Sequence, residues 1–166
     1  PEMYRAVLLA AFGPMRRSEI CALTSDDVRG NLVTVNKALV YDEIGALILK
    51  TTKTAGSTRV IEYPDFVIEA LKGVKGRFIQ SSPDVLSNRF KRTVNRIGGP
   101  KFRFHDLRHY AASIMHAIGV PDQYIMSRGG WSSDVVMKRV YRNVIDIEAQ
   151  KQTRRINNHF LKVSHV

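Results

Sequence analysis

Between positions 31 and 63 the chain changes its hydrophobic rhythm, and that change narrows the fold more than any other feature. Leu32, Val33, Val35, Leu39, Val40, Leu47, Leu49, Val60 and Ile61 are strand formers. They are interrupted at Asp42-Glu43 with Gly45, and again over 51–58. The pattern predicts a small antiparallel sheet of about three strands. On either side, apolar residues return at helical spacing. A helix is expected over 4–12, closed by Gly13-Pro14, and a short one over 18–24. After the sheet, helices are expected over 65–73, 84–97, 105–118, 121–128, 133–143 and 146–162. Pro64, Ser82-Pro83, Gly119 and Pro121 supply the starts and stops. Helix, small sheet, then many helices define an α+β fold, mainly α.

Composition bounds the function. The 166 residues suit a single domain that buries its own core. With 44% hydrophobic residues the chain is no disordered basic tail. The single cysteine, Cys21, excludes a disulfide framework and a Cys-rich zinc site. No apolar run reaches the roughly 18 residues of a membrane span, and no signal segment opens the chain. The expectation is a soluble intracellular protein. Twenty-six Lys+Arg against 15 Asp+Glu leave a net charge of +11. That excess points to an anionic partner, of which nucleic acid is the commonest. The chain opens on Pro1, so it is expected to be a piece of something longer.

Four segments carry possible chemistry. In His105-Asp106-Leu107-Arg108-His109, helical geometry gathers His105, Arg108, His109, Ala112 and His116 on one side. Leu107, Tyr110, Ala111, Ile114 and Ile118 fill the other and are expected to face the core. The polar side is either a solvated face or a site of imidazoles and a guanidinium. A zinc pair at His105 and His109 is the weaker reading, because the acidic base and third ligand of His-Glu-x-x-His are missing. Arg16-Arg17-Ser18-Glu19-Ile20 reads as a helix start with flanking arginines. Lys50 to Arg59 reads as a flexible basic loop between strands; lysines at a hairpin tip are usually only solubilising. Gly129-Gly130-Trp131-Ser132-Ser133 precedes Tyr141, which also fits a core aromatic beside Val136, Val140 and Val144.

Taken in order, Arg16, Lys53, His105-x-x-Arg108, Trp131 and Tyr141 resemble the catalytic domain of the tyrosine recombinases, the phage-integrase family. The resemblance spans residues 16–141. Gly13-Pro14-Met15-Arg16 carries one residue more than the family's Gly-x-Arg, which leaves Arg16 and Arg17 both open; the spacing to Ser18-Glu19 favours Arg16. The resemblance implies a fold of the DNA breaking-rejoining type and a role for each residue. Tyr141 would attack phosphorus, giving a 3′-phosphotyrosyl enzyme and a free 5′-hydroxyl. Arg16 and Arg108 would clamp the non-bridging oxygens, since the planar guanidinium matches phosphate. Lys53 would protonate the leaving 5′-oxygen, and His105 would handle the tyrosine proton. Trp131 would bond phosphate through its indole N–H or pack on the tyrosine helix.

No metal or cofactor is implied, because arginines take the place of a Mg²⁺ clamp. The implied partner is double-stranded DNA, with a homotetramer on DNA at full length and a monomer for the isolated domain. Residues 1–166 would form one catalytic domain, the C-terminal part of a longer integrase whose N-terminal core-binding domain is absent. The expected location is the bacterial host's cytoplasm, on the nucleoid. A topoisomerase IB-like enzyme shares the chemistry, and a non-catalytic basic DNA-binding module shares the charge. From the charge follows a first prediction. Affinity for duplex DNA, measured by fluorescence anisotropy, should fall at least about tenfold between 50 and 200 mM salt; a salt-independent affinity would contradict it.

Overall fold

The computed structural model describes residues 1–51 and 58–133, with single positions 135, 137, 138, 153, 154 and 157 beyond them. The helices expected over 133–143 and 146–162 therefore lie largely outside the described residues.

Helix α1 (Glu2–Phe12) is the central element, burying Ala6, Leu8, Leu9 and Ala10. It packs against α2 (Arg17–Ala22), α3 (Asp65–Leu71), α4 (Pro83–Arg96) and α5 (Asp106–Ala117). Such multi-sided contact explains why its apolar residues form no single stripe. Tyr63 locks the end of α1: its buried hydroxyl donates to the Leu9 carbonyl at 2.8 Å. The Tyr63 phenol lies where a Gly13 side chain would be, its hydroxyl oxygen 1.7 Å from an ideal Cβ and its ring 2.0 Å. Helix α4 begins with Ser82 accepting from the Val85 N–H and proline in the first turn, and buries Leu86 and Phe90. Ile97, at the C-cap of the helix, is exposed. Among the described residues, no helix is long and apolar enough to cross a membrane.

The strand region holds more than the three strands expected. Strands β1 (Val28–Arg29), β2 (Leu32–Val35) and β5 (Arg59–Glu62) form one antiparallel sheet in the order β1-β2-β5. Strands β3 (Lys37–Tyr41) and β4 (Leu47–Thr51) form a separate hairpin. Its turn is built by Asp42, whose carboxylate accepts from the N–H groups of Ile44 and Ala46 at 3.1 and 2.7 Å. Gly45 there takes φ +81, which glycine adopts at little cost. An ion pair from Lys37 to buried Asp27 (2.8 Å) pins the hairpin near the end of α2. In the three-stranded sheet the pleat alternates: Val33, Val35 and Ile61 point inward, while Leu32 and Val60 point out. The register pairs Val35 with Arg59, so Arg59 also points inward.

Helix α6 (Asp122–Gly129) completes the described fold, packing on α5 and β5. Ala112, Ile125 and Met137 form a second small core there, with Met126 and Trp131 against it.

The Gly13–Tyr63 contact predicts overpacking. Gly13→Ala should lower stability by about 1–3 kcal/mol, read as a reduced urea midpoint; an unchanged midpoint would show that the ring has room to move.

Candidate functional site

The site is organised by the C-terminus of α6. Gly130 adopts the left-handed conformation (φ 68, ψ 43), and Gly130 and Trp131 donate back to the carbonyls of Ser127 and Met126. This is a Schellman ending, which favours glycine. A helix end leaves its last carbonyls without helical partners and carries partial negative charge. Here three consecutive carbonyls accept from three arginines. Arg59 Nε donates to Arg128 O at 2.9 Å, Arg108 Nη1 to Gly129 O at 2.7 Å, and Arg16 Nη2 to Gly130 O at 2.8 Å.

Each arginine arrives from a different element. Arg16 is the N-cap of α2. Its own N–H and its Nη1 donate to the two oxygens of Glu19 at 2.7 and 2.9 Å. Arg17 leaves the cluster for α4, donating to Ser87 and pairing with Asp84, both at 3.0 Å. Arg108 is 2% exposed. Its Nη1 also reaches the Pro14 carbonyl. Its guanidinium carbon lies 3.8 Å from the centre of the Trp131 ring, a cation–π stack. Its Nη2 is buried with no hydrogen-bond partner among the described residues. Burial first, and the nearby Arg16 charge second, pull Arg108 down to about 9, so it stays a cation at neutral pH. Gly129 makes the stack possible, since a Cβ there would lie 1.9 Å from the indole.

Glu19 is the buried counter-ion. It is 3% exposed and accepts from Arg59 Nη1 and Nη2 at 3.1 and 2.8 Å, besides Arg16. Burial alone would raise its carboxyl, but the hydrogen bonds and charges of Arg59 and Arg16 outweigh it. The carboxyl is held below the ordinary range.

His105 is the N-cap of α5, three residues before Arg108. Phe104, buried edge-on against Phe90 (centroids 5.4 Å apart), anchors the preceding segment. Asp106 braces it by accepting from the Arg103 N–H at 2.8 Å and from the Arg103 side chain. The His105 ring meets His109 edge-on at 4.6 Å. Burial, then the neighbouring His109 and Arg108, lower His105 from 6.5 to about 4, so the imidazole is neutral near pH 7.

The structure thus brings Arg16, Arg108 and Trp131 together, with His105 one helical turn from Arg108. Lys53 and Tyr141 lie outside the described residues. The expected core face of α5 is corrected. Arg108 and Ala112 are buried beside Leu107 and Ala111, whereas Tyr110, Ile114 and Ile118 are exposed. The guanidinium turns inward because the α6 carbonyls supply its acceptors there. Arg59 was expected in a flexible loop, yet it is the buried first residue of β5. Strand alternation was the available signal: if Ile61 points inward, so does the residue two before it.

Residues 2–147 match the model of the phage integrase family. An integrase of Saccharopolyspora erythraea is 32% identical over 121 residues, covering 72% of this chain and 27% of that protein. The integrase of Salmonella phage P22 is 31% identical over 88 residues, covering 53% of this chain and 22% of that protein. In fold, the chain is similar to the Tn1549 transposon integrase in complex with transposon right end DNA. The TM-score is 0.73 at 17% identity, covering 94% of this chain and 59% of that one. The chain therefore belongs to the phage integrase family, the tyrosine recombinases. It spans about a quarter of the length of these curated relatives.

The His105 environment predicts acid sensitivity. Its folded value lies below its ordinary one, so the unfolded state binds the proton more readily. Stability should therefore decline as pH falls from 6.5 towards about 4. Thermal unfolding across that window should show a shallower decline in His105→Gln than in the wild type; equal slopes would exclude the effect.

Proposed function

We propose that the chain, residues 1–166, is the single catalytic domain of a longer site-specific recombinase or integrase of a phage or other mobile element. It cuts and rejoins double-stranded DNA through a 3′-phosphotyrosyl intermediate. The observation that carries this reading is the side-by-side placement of Arg16 and Arg108 on adjacent carbonyls, with a buried Arg108 donor that has no partner among the described residues. Two guanidiniums at one point suit the oxygens of one phosphodiester.

In the proposed reaction the Tyr141 oxygen bonds to phosphorus as the bond to the 5′-oxygen breaks. The leaving oxygen takes the bond's electron pair and a proton from Lys53. His105 receives the tyrosine proton. It is neutral beforehand, as an acceptor must be, and a bound phosphate beside it would raise its proton affinity. Rejoining reverses these steps, with a 5′-hydroxyl as nucleophile, so the phosphodiester energy is conserved. Trp131 holds Arg108 by stacking and borders the same phosphate. The remaining basic charge binds flanking backbone without choosing a sequence. The working enzyme is a tetramer on DNA in the host cytoplasm, with a core-binding domain preceding this one and the nucleoid as its surroundings.

A nicked suicide duplex followed by a denaturing gel tests this. The wild type should give a covalent protein–DNA band that persists with a chelator, and Tyr141→Phe should give none. Identical lanes without adduct would leave only a DNA-binding module.

A further inference from the structure

We infer that Arg59 is a positioning residue for strand cleavage, holding Arg16 and Arg108 at the spacing at which both grip one phosphate. The inference rests on the proposed function. Arg59 is 8% exposed and occupies the inward register opposite Val35, between apolar neighbours. An aliphatic side chain there would continue the Val33–Val35–Ile61 face. A buried cation is retained at such a position only when its donors are matched.

Those donors are matched by the two elements that hold the phosphate-binding pair. Nη1 and Nη2 fork onto Glu19, whose same two oxygens hold the Arg16 side chain and backbone N–H. Nε binds the Arg128 carbonyl, adjacent to the carbonyls that hold Arg108 and Arg16. Arg59 thus fixes the distance between α2 and the end of α6. The fit is close: a Cβ on Gly130 would lie 3.0 Å from Nη1 of Arg59. With its side chain buried, Arg59 acts through Glu19 and α6 and does not touch DNA.

Lysine keeps the charge but lacks the fork and the Nε donor, so it cannot make both connections. The test compares wild type, Arg59→Lys and Glu19→Gln in the whole chain. Each is assayed for adduct formation on the nicked duplex and for the indole N–H resonance of Trp131, the only tryptophan. In Arg59→Lys the cleavage rate at saturating DNA should fall at least about tenfold, because small misplacements of clamping groups are costly. The half-saturating DNA concentration should stay within about twofold, as for loss of an interaction specific to the transition state. Without DNA, the indole resonance should move while the amide spectrum stays dispersed. Glu19→Gln, which keeps the shape and loses the charge, should show the same signature.

A wild-type cleavage rate in Arg59→Lys overturns the inference. So does a rate loss matched by lost DNA binding, or an unmoved indole resonance. A collapsed amide spectrum in both variants overturns it too, by showing a role in folding. If the wild type forms no adduct while the indole still moves, the tie between Arg59 and the cluster stands and the proposed reaction fails.

Discussion

The last three carbonyls of α6, facing three guanidiniums, are the interaction on which the rest of the arrangement depends. They draw together arginines from the start of α2, from α5 and from β5, the most distant of them 114 positions from its carbonyl in sequence. None of these elements would otherwise define the position of the others so closely, because α2 has six residues and β5 four. The helix end answers two needs at once. Its orphan carbonyls find donors, and the buried arginines find acceptors. Losing the left-handed turn at Gly130 would disturb all three bonds together.

Electrostatic balance inside the cluster is incomplete in one direction. Arg16, Arg59 and Arg108 contribute three positive charges, and Glu19 is the carboxylate paired with the first two. The depressed Arg108 value records this crowding: burial and Arg16 both disfavour its charge, and Glu19 offsets only part. Among the described residues the cluster keeps surplus positive charge and a buried donor without a partner, an arrangement that suits an anion. Burial first, and the neighbouring His109 and Arg108 after it, keep the imidazole of His105 neutral.

Much of the fold was legible in the sequence because its signals are local. The switch in hydrophobic period marked the strand region, and Gly13-Pro14, Pro64 and Ser82-Pro83 marked helix ends close to where they fall. Strand pairing was less so. Leu39, Val40, Leu47 and Leu49 read like the other strand formers, but they pair with one another in a hairpin, closed by an Asp42 turn that periodicity does not register. The site divides in the same way. Arg16, His105, Arg108 and Trp131 lie in motifs that spacing picks out. The inward turn of Arg108 was not readable, because amphipathic patterns assume that charge faces water; the same assumption hid Arg59, although strand alternation placed it inward. Both donate to main-chain carbonyls of a remote helix end, and every residue type possesses such a carbonyl.

The choice of acceptor has a consequence for the chemistry. Of the two arginines assigned to the phosphate, Arg108 is held by peptide carbonyls and a tryptophan face rather than by a carboxylate. Dipoles orient a cation without cancelling it. A carboxylate in their place would give an equally rigid side chain but a neutral pair, with its field already spent on an internal partner. Among the described residues Arg108 is therefore aimed without a carboxylate bonded to it, and in the proposed reaction most of its charge is left for the phosphodiester.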